Sequence, residues 1–310
     1  MNILITGATG FIGQNLCTVA AANNHSIRAT IRPSPTTPNL PPAIKLIPVA
    51  SITDPLPPIA LDHVDTIIHL AARAHILNDT AADPTAEFFK INTQATLSLA
   101  QAALAAGVKH FIFISSIGAI TTLSPDTLTE RTPCDPDTPY GQSKLQAELG
   151  LIELCKNTQM SYTIIRPTLV YGSGNPGNME RLLKLLDTPL PVPFGAIDNR
   201  RSFVYIGNLV DAILRCVTHP AARNQTFIVS DGEDLSTPEL IRRLATWSQK
   251  SLTLLPIPPQ LLILLGKLTN QTTTIDKLLG SLTVDITHIQ TTLDWKPPFT
   301  VDEGLRETVR

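Results

Sequence analysis

Charged residues and cysteines are both scarce in this sequence. Asp, Glu, Lys and Arg make up 16% of its 310 residues, whereas about 25% is usual. The 24 basic and 26 acidic residues leave a formal net charge of -2, so the chain has no basic field with which to hold DNA or RNA. The four cysteines are far apart in the chain. They suggest neither a zinc site nor a disulfide framework, and we predict no bound metal.

Long apolar runs are missing as well. The longest candidate, 252–268, is interrupted by Pro256, Pro258, Pro259 and Gly266, and it falls short of a membrane span. The apolar run 261–265 within it predicts a helix of the core or of a substrate lobe, in preference to a membrane-surface contact. A first strand at 3–6 leaves no room for a leader. We therefore expect a cytoplasmic protein without stable membrane insertion.

Proline is abundant, with 26 residues. Nine of these prolines fall between Pro33 and Pro58, away from the segments that are rich in helix-forming residues. They predict loops around the third strand, in a region where a regular helix does not form.

Short β-branched and apolar runs alternate with longer segments rich in Ala, Leu and Gln. The apolar runs predict buried parallel strands at 3–6, 26–31, 44–49, 66–70, 111–115, 163–166 and 226–229. The longer segments predict crossover helices at 14–23, 88–106 and 142–156. This alternation predicts an α/β fold, a doubly wound parallel Rossmann sheet of about seven strands. We place it in residues 1–170, followed by a smaller substrate-binding lobe at 171–310, with 203–230 returning to the main sheet.

A glycine-rich turn directly follows the first predicted strand. It reads Thr6-Gly7-Ala8-Thr9-Gly10-Phe11-Ile12-Gly13, and a predicted helix begins behind it. Gly7 allows a tight turn, Gly10 lets a pyrophosphate approach the backbone, and Gly13 lets helix and strand pack closely. The turn predicts a dinucleotide site to which Gly7, Thr9, Gly10, Phe11, Ile12 and Gly13 contribute.

The residues after the second strand bear on the choice of dinucleotide. NAD-selective sites usually carry an acidic residue about twenty residues beyond the glycine turn, but the first acidic residue of this chain is Asp54. Arg28 and Arg32 occur instead, and Arg32 stands at the predicted strand end, where a 2′-phosphate would sit. This favours NADP over NAD, the alternative being that both arginines are solvated surface charges.

A tyrosine and a lysine one turn apart open the predicted helix 142–156. Tyr140 and Lys144 share one face, and a nearby ammonium lowers the pKa of a phenol. Tyr140 could therefore exchange a proton with a substrate oxygen near neutral pH. Ser115 and Ser116 end the predicted strand 111–115, at the sheet edge where ligands of such folds bind, and a serine there can bond the same oxygen.

The chain resembles the extended short-chain dehydrogenase/reductases, the group of nucleotide-sugar epimerases and dehydratases. The resemblance rests on motifs that occur in family order, namely the glycine turn, His69-Leu70-Ala71-Ala72, Asn92, Ser115-Ser116, Tyr140-x-x-x-Lys144, Arg166-Pro167 and Val170-Tyr171-Gly172. It implies that Ser116 is the catalytic serine, Tyr140 the acid/base, and Lys144 a residue that also holds the nicotinamide ribose.

The same resemblance implies further contacts. Residues implied to line the cofactor site are Arg32, Ser51, Ile52, Leu70, Ala71, Ala72, Asn92, Tyr140, Lys144 and Pro167. Ser116, Asn178 and Arg201 are implied to bind substrate, the latter two through its diphosphate. Ala50-Ser51 replaces the Gly-Asp of many members, which weakens the expected adenine contact. Helices 88–106 and 142–156 resemble those that pair across a family homodimer.

Departures from the family pattern bear on the reaction. Dehydratases of this group place Asp-Glu after the catalytic serine or threonine, whereas this chain has Ile117-Gly118, which disfavours dehydration. The main prediction is 4-keto reduction of a UDP-linked hexose or N-acetylhexosamine, of the UDP-N-acetylquinovosamine type, with NADP. The alternative is a UDP-glucose or UDP-GlcNAc 4-epimerase with tightly held NAD. A non-catalytic dinucleotide sensor and a reductase of small non-sugar carbonyls are the less favoured interpretations.

Overall fold

A computed structural model of the chain describes residues 1–23, 25–34, 38–74, 81–175, 178–188, 191–269 and 272–310. It contains a large sheet, a small sheet and helices that cover both. The strands are Asn2–Thr6 (β1), Ser26–Ile31 (β2), Lys45–Pro48 (β3), Thr66–His69 (β4), His110–Ile114 (β5), Ser161–Pro167 (β6), Leu169–Tyr171 (β7), Arg201–Tyr205 (β8), Gln225–Val229 (β9) and Asp234–Leu235 (β10).

The large sheet has seven strands in the order β3-β2-β1-β4-β5-β6-β9. Each neighbouring pair is parallel, with Ile3 opposite Thr66 and Ile164 opposite Thr226. Parallel strands need crossover connections, and these place helices on both faces of the sheet. The predicted doubly wound sheet is therefore confirmed, with strand ends that shift by one or two residues.

The helices follow the strands along the chain. They are Phe11–Ala22 (α1), Pro58–Leu61 (α2), Pro84–Phe88 (α3), Ala95–Ala105 (α4), Pro139–Cys155 (α5), Asn178–Leu186 (α6), Ile206–Thr218 (α7), Thr237–Trp247 (α8), Pro259–Leu268 (α9), Thr272–Leu279 (α10), Thr287–Leu293 (α11) and Val301–Val309 (α12). A π-helical segment at Phe89–Gln94 joins α3 to α4, and short 3-10 turns lie at Ile117–Ala119 and Pro220–Ala222.

Two apolar clusters sandwich the large sheet. Alternate residues of one strand belong to opposite clusters, as Ile3 and Leu4 of β1 do, because successive side chains of a strand point to opposite faces. Helices α1 and α7 cover one face, and α4 and α5 cover the other. Since both faces are dry, the central strands are apolar without alternation, which is the pattern that predicted them.

The C-terminal part forms a smaller layer beside the main sheet. Strand β8 pairs with β7 in parallel and with β10 in antiparallel fashion. The next strand, β9, lies in the large sheet beside β6. A third apolar cluster, which includes Tyr171, Phe203 and Leu244, joins this small sheet to α6, α8 and α12. The division of the chain at residue 170 stays a prediction.

Two sequence-based expectations need correction. The helix predicted at 88–106 is broken by the π-helical segment, whose extra residue per turn turns Asn92 and Thr93 toward α5. Both then bond Ser143, at 3.0 Å from the Asn92 amide nitrogen and 2.8 Å from the Thr93 hydroxyl. The apolar run 261–265 lies in α9, and it is not part of the core, since of its five residues Leu262 is buried and the rest are exposed. None of the described helices is long and apolar enough to cross a bilayer.

Candidate active site

The glycine turn joins β1 to α1 through a close backbone approach. Gly7 has a φ of 71°, a region that favours glycine. A Cβ on Gly7 would lie 2.6 Å from the Ala71 nitrogen, and one on Gly13 would lie 2.2 Å from the Gly7 oxygen. Both glycines are therefore required by packing. The third, Gly10, has only one neighbour within 4 Å, at 3.3 Å.

The first turn of α1 presents free donors to whatever lies above the glycine turn. Gly10 is its N-cap residue and has no side-chain cap, and the first turn holds no acidic residue. Thr9 is exposed, and Phe11 and Ile12 are half-buried. An uncapped helix N-terminus above a glycine turn suits a pyrophosphate, so these residues fit the diphosphate of a dinucleotide.

The segment of the chain that directly follows β4 packs on this glycine turn. The Leu70 amide donates to the Thr6 backbone oxygen at 3.2 Å, and the backbone of Leu70 and Ala71 packs on Gly7, with Ala72 next in the chain. His69 lies beneath them, with its ring nitrogens 2.6 Å from the Thr6 hydroxyl and 2.9 Å from the Thr96 hydroxyl. Burial and the nearby Lys144 lower the pKa of His69 to about 3. The imidazole is therefore neutral and structural.

Asn92 is a brace between two segments of the predicted cofactor site. Its side-chain oxygen accepts from the Arg73 amide at 2.8 Å, and its amide nitrogen donates to the Arg73 oxygen at 3.1 Å and to Ser143. Both of its donors are thereby used. Only one lone pair of the Asn92 side-chain oxygen remains for a direct contact with a cofactor. The main role of Asn92 in the site is therefore to hold the chain that follows β4.

The predicted adenosine side of the site is built of exposed turns. Arg32 follows β2 and is exposed, whereas the Arg28 guanidinium donates to the Asp62 carbonyl and is already engaged. Ser51 and Ile52 lie in the turn after β3, where the Ser51 amide donates to Asp54 at 3.0 Å. The polar groups of Ser51 are thus satisfied within its own turn, and Arg32 is the cation placed at the β2 end.

The N-terminus of α5 positions the predicted catalytic tyrosine beside the end of β5. Thr138 caps this helix by accepting from the Gly141 amide at 3.1 Å. A Cβ on Gly141 would lie 2.1 Å from the Gly118 oxygen, so the helix meets the 3-10 turn after Ser116 backbone to backbone. This arrangement sets the side chain of Tyr140 beside that of Ser116, and both are partly exposed.

The pKa of Tyr140 is shifted in the opposite direction to the one that the sequence predicts. The sequence predicts that the Lys144 ammonium lowers the pKa of Tyr140. In the structure, burial raises the pKa of Tyr140, and the neighbouring Ser116 side chain lowers it by less. The Lys144 amine donates instead to the Ile114 oxygen at 2.7 Å. The neutral phenol is therefore the resting form of Tyr140, a form that can donate a proton.

Lys144 itself is almost completely enclosed. It is 1% exposed, and its nitrogen lies 4.2 Å from the centre of the Phe113 ring. Burial lowers the pKa of Lys144 to about 7, against a raising effect of Glu148. The amine therefore titrates near neutral pH, because desolvation disfavours its charged form.

A buried ion pair that the sequence motifs do not reveal lies one further turn along α5. Arg166 of β6 contacts Glu148 at 2.5 Å from Nη2 and 3.0 Å from Nε, and both side chains are less than a tenth exposed. The spacing 140, 144, 148 puts Glu148 on the same helix face, a signal that could have found it. Pro167 then ends β6 opposite Val229.

Two of the three predicted substrate residues, Asn178 and Arg201, belong to the smaller layer, whereas Ser116 follows β5 of the large sheet. Arg201 begins β8, and its Nη1 donates to the Lys277 oxygen at 2.8 Å and the Gly280 oxygen at 3.1 Å. Its guanidinium has further donors that these bonds do not use. The side chain of Asn178, at the start of α6, lies outside the described part of the chain. Within that described part, no group of three or more His, Cys, Asp or Glu is arranged to hold a metal.

Comparisons with known proteins place these features in one family. The model of the NAD dependent epimerase/dehydratase family matches residues 3–230. A UDP-glucose 4-epimerase of Vibrio cholerae is 41% identical over 100% of this chain and 94% of that protein. An N-acetyl-α-D-glucosaminyl-diphospho-ditrans,octacis-undecaprenol 4-epimerase of Escherichia coli O157:H7 is 29% identical, with the same shares covered.

Solved structures share the fold over the whole chain. The UDP-glucose 4-epimerase of Thermotoga maritima with UDP-glucose superposes with a TM-score of 0.79 at 24% identity, covering 100% of this chain and 97% of that one. The UDP-glucuronic acid 4-epimerase of Bacillus cereus in complex with NAD gives 0.79 at 23% identity, with the same shares covered.

Proposed function

Because the chain belongs to the NAD dependent epimerase/dehydratase family, we propose that it is a 4-epimerase of a UDP-linked hexose with NAD as its cofactor. The observation that carries the proposal is the backbone contact between Gly141 and Gly118, which sets Tyr140 beside Ser116. It lies at the carboxyl edge of the sheet, where the glycine turn also ends β1. Family membership confirms the predicted resemblance.

The main prediction from the sequence, 4-keto reduction, is not the interpretation that the comparisons favour. The Vibrio cholerae and Escherichia coli relatives are both 4-epimerases by name, which supports the alternative instead. The preference for NADP finds no support either, since the family is named for NAD. Arg32 is exposed, and an exposed arginine in a loop needs no phosphate to explain it. We therefore propose NAD.

The chain's own residues would hold the dinucleotide at both ends. The donors of the first turn of α1 would take its pyrophosphate, and Lys144 would approach the nicotinamide ribose. Bound NAD supplies the acceptor and then the donor for the hydride at C4 of the sugar. The uncapped helix and the close packing at Gly7 and Gly13 are the features that fit such a group.

Tyr140 would handle the proton on the C4 oxygen. The first half of the reaction needs Tyr140 in its deprotonated form, which would take the proton of the C4 hydroxyl. The phenol formed in this way would return a proton to the C4 oxygen in the second half. Ser116 would bond the same oxygen and hold it beside the phenol. The burial that raises the pKa of Tyr140 suits the return step, because it favours the protonated donor.

Arg201 would hold the substrate diphosphate with the donors that its bonds to Lys277 and Gly280 leave free. Asn178 would act at the same diphosphate. A homodimer through α4 and α5 stays part of this proposal, supported by Leu149 on α5, which is 58% exposed.

The test is turnover of UDP-glucose by purified protein with NAD and without a reductant. The proposal expects UDP-galactose, and a fall of about 100-fold or more in Tyr140→Phe, with Tyr162→Phe as the matched control that keeps its activity. Reduction of a UDP-linked 4-keto sugar by NADPH, with no interconversion of UDP-glucose or UDP-GlcNAc, would establish the reductase instead.

A second substrate has a specific observation in its favour. The Escherichia coli relative is named for a sugar diphosphate carried on undecaprenol, and it shares the sugar-diphosphate part of a UDP-sugar. Helix α9 of this chain exposes four leucines next to the layer that holds Arg201. A lipid-linked sugar diphosphate is therefore the second candidate, to be tested by turnover in lipid vesicles.

A further inference from the structure

The exposed face of α9 is a continuous apolar stripe. Leu261, Leu264, Leu265 and Leu268 are 50%, 52%, 53% and 76% exposed. Their spacing of i, i+3, i+4 and i+7 places them on one side of the helix. Leu262 and Gly266 are buried on the other side, where α9 meets the protein. A soluble helix normally turns such a stripe inward, so this one marks an interaction surface.

The charge on α9 itself has one sign. Lys267 is the one charged residue of this helix, and it lies in the last turn and is exposed. The cations earlier in this part of the chain include Arg243 and Lys250, which are already paired with Glu233 and Asp187. An apolar helix face whose single charge is an exposed cation complements an anionic bilayer surface.

The stripe is firmly attached to the lobe that holds the proposed substrate residues. The segment before α9 pairs with 192–195, where the Leu255 amide donates to the Val192 oxygen at 2.9 Å and the Gly195 amide donates to the Leu255 oxygen at 2.9 Å. Helix α10 packs against α9, and its Lys277 oxygen accepts from Arg201 at 2.8 Å. A surface bound by α9 would therefore be held close to the substrate lobe.

We propose that α9 docks this protein on an anionic lipid membrane, with its four-leucine stripe in the interface and Lys267 at the headgroups. Such a helix lies in the interface without crossing the bilayer, in keeping with the absence of a spanning helix among the described residues. Docking goes beyond the proposed reaction and does not depend on which sugar diphosphate is turned over. It would present the site to a sugar diphosphate carried on a lipid.

The test is co-sedimentation of the full chain with vesicles of phosphatidylcholine and phosphatidylglycerol. We expect the wild type to bind these anionic vesicles. It should bind more weakly to vesicles of phosphatidylcholine alone, and more weakly in high salt. The Leu264→Asn/Leu268→Asn variant should bind about tenfold or more weakly, and Lys267→Gln about fivefold more weakly. Ile59→Asn is the matched control, because Ile59 is 51% exposed on α2, and it should bind like the wild type.

Two results would overturn the proposal. One is a wild type that does not sediment with anionic vesicles, a measurement that needs no variant to fold. The other is a wild type that forms a dimer in light scattering and does not bind vesicles, together with a double leucine variant that is a monomer. That result would assign the stripe to contact with a second copy of the chain. UDP-glucose turnover in solution should be equal in all of these variants, so a failure of docking and a failure of the proposed reaction are read separately.

Discussion

Replacing Lys144 by methionine removes a buried amine whose protonation opposes folding. The folded protein holds the pKa of Lys144 at about 7, below its ordinary 10.5, because burial at 1% exposure penalises the ammonium. Below pH 7 both the folded and the unfolded chain carry the proton, so this group adds no pH dependence there. Between pH 7 and 10.5 the unfolded chain binds a proton that the folded chain does not, and the free energy of unfolding rises with pH.

The size of this effect follows from the two pKa values. Each pH unit above the folded pKa contributes about 1.4 kcal/mol, so Lys144 should add about 2 kcal/mol to the wild type between pH 7 and pH 9. Lys144→Met lacks this term. It also leaves the Ile114 oxygen without its donor, a loss of about 1–3 kcal/mol that does not depend on pH.

The assay is urea unfolding of wild type and Lys144→Met at several pH values from 6 to 9.5. The difference in unfolding free energy should grow steadily above pH 7. Lys156→Met is the matched control, since Lys156 lies at the end of the same helix with a side chain 63% exposed. Its curve should run parallel to the wild type. Parallel curves for Lys144→Met as well would refute the argument that burial shifts this amine.

Three further changes test other parts of the account. Gly13→Ala should lower the free energy of unfolding by about 1–3 kcal/mol in chemical unfolding and abolish NAD binding in calorimetry. The reason is that the added methyl group would lie 2.2 Å from the Gly7 oxygen. A variant with normal stability and normal NAD affinity would contradict this. Glu148→Gln should lower the free energy of unfolding by about 3–5 kcal/mol, because it leaves the Arg166 guanidinium buried without its charge partner. A loss below about 1 kcal/mol would show that the pair is solvated. Arg32→Ala should leave the ratio of the NAD and NADP dissociation constants unchanged, whereas a fall in NADP affinity alone would restore the sequence-based preference for NADP.

The sequence predicted the main sheet and its glycine turn because both depend on local patterns. Runs such as 3–6 and 111–115 are apolar on both faces, and this fits strands that are covered on both sides. The order strand, glycine turn, helix lies within thirteen residues. Such features need no knowledge of distant parts of the chain.

The features that were missed depend on contacts between distant segments. The π-helical segment at Phe89–Gln94 is bonded to Ser143, some fifty positions away in the chain. The lowered pKa of Lys144 comes from burial among β5 and α5, which spacing along one helix does not show. The exposure of the leucine face of α9 is also not visible in the sequence, because the same leucine spacing is typical of a core helix.

The proposed reaction removes the hydrogen from C4 of a UDP-hexose and returns it to C4 within one site, while Tyr140 exchanges the proton of the C4 oxygen. The most direct measurement is incubation of the purified protein and NAD with UDP-glucose that carries deuterium at C4. We expect UDP-galactose that keeps its deuterium at C4. UDP-galactose that has lost this deuterium to solvent, or no UDP-galactose at all, would contradict it.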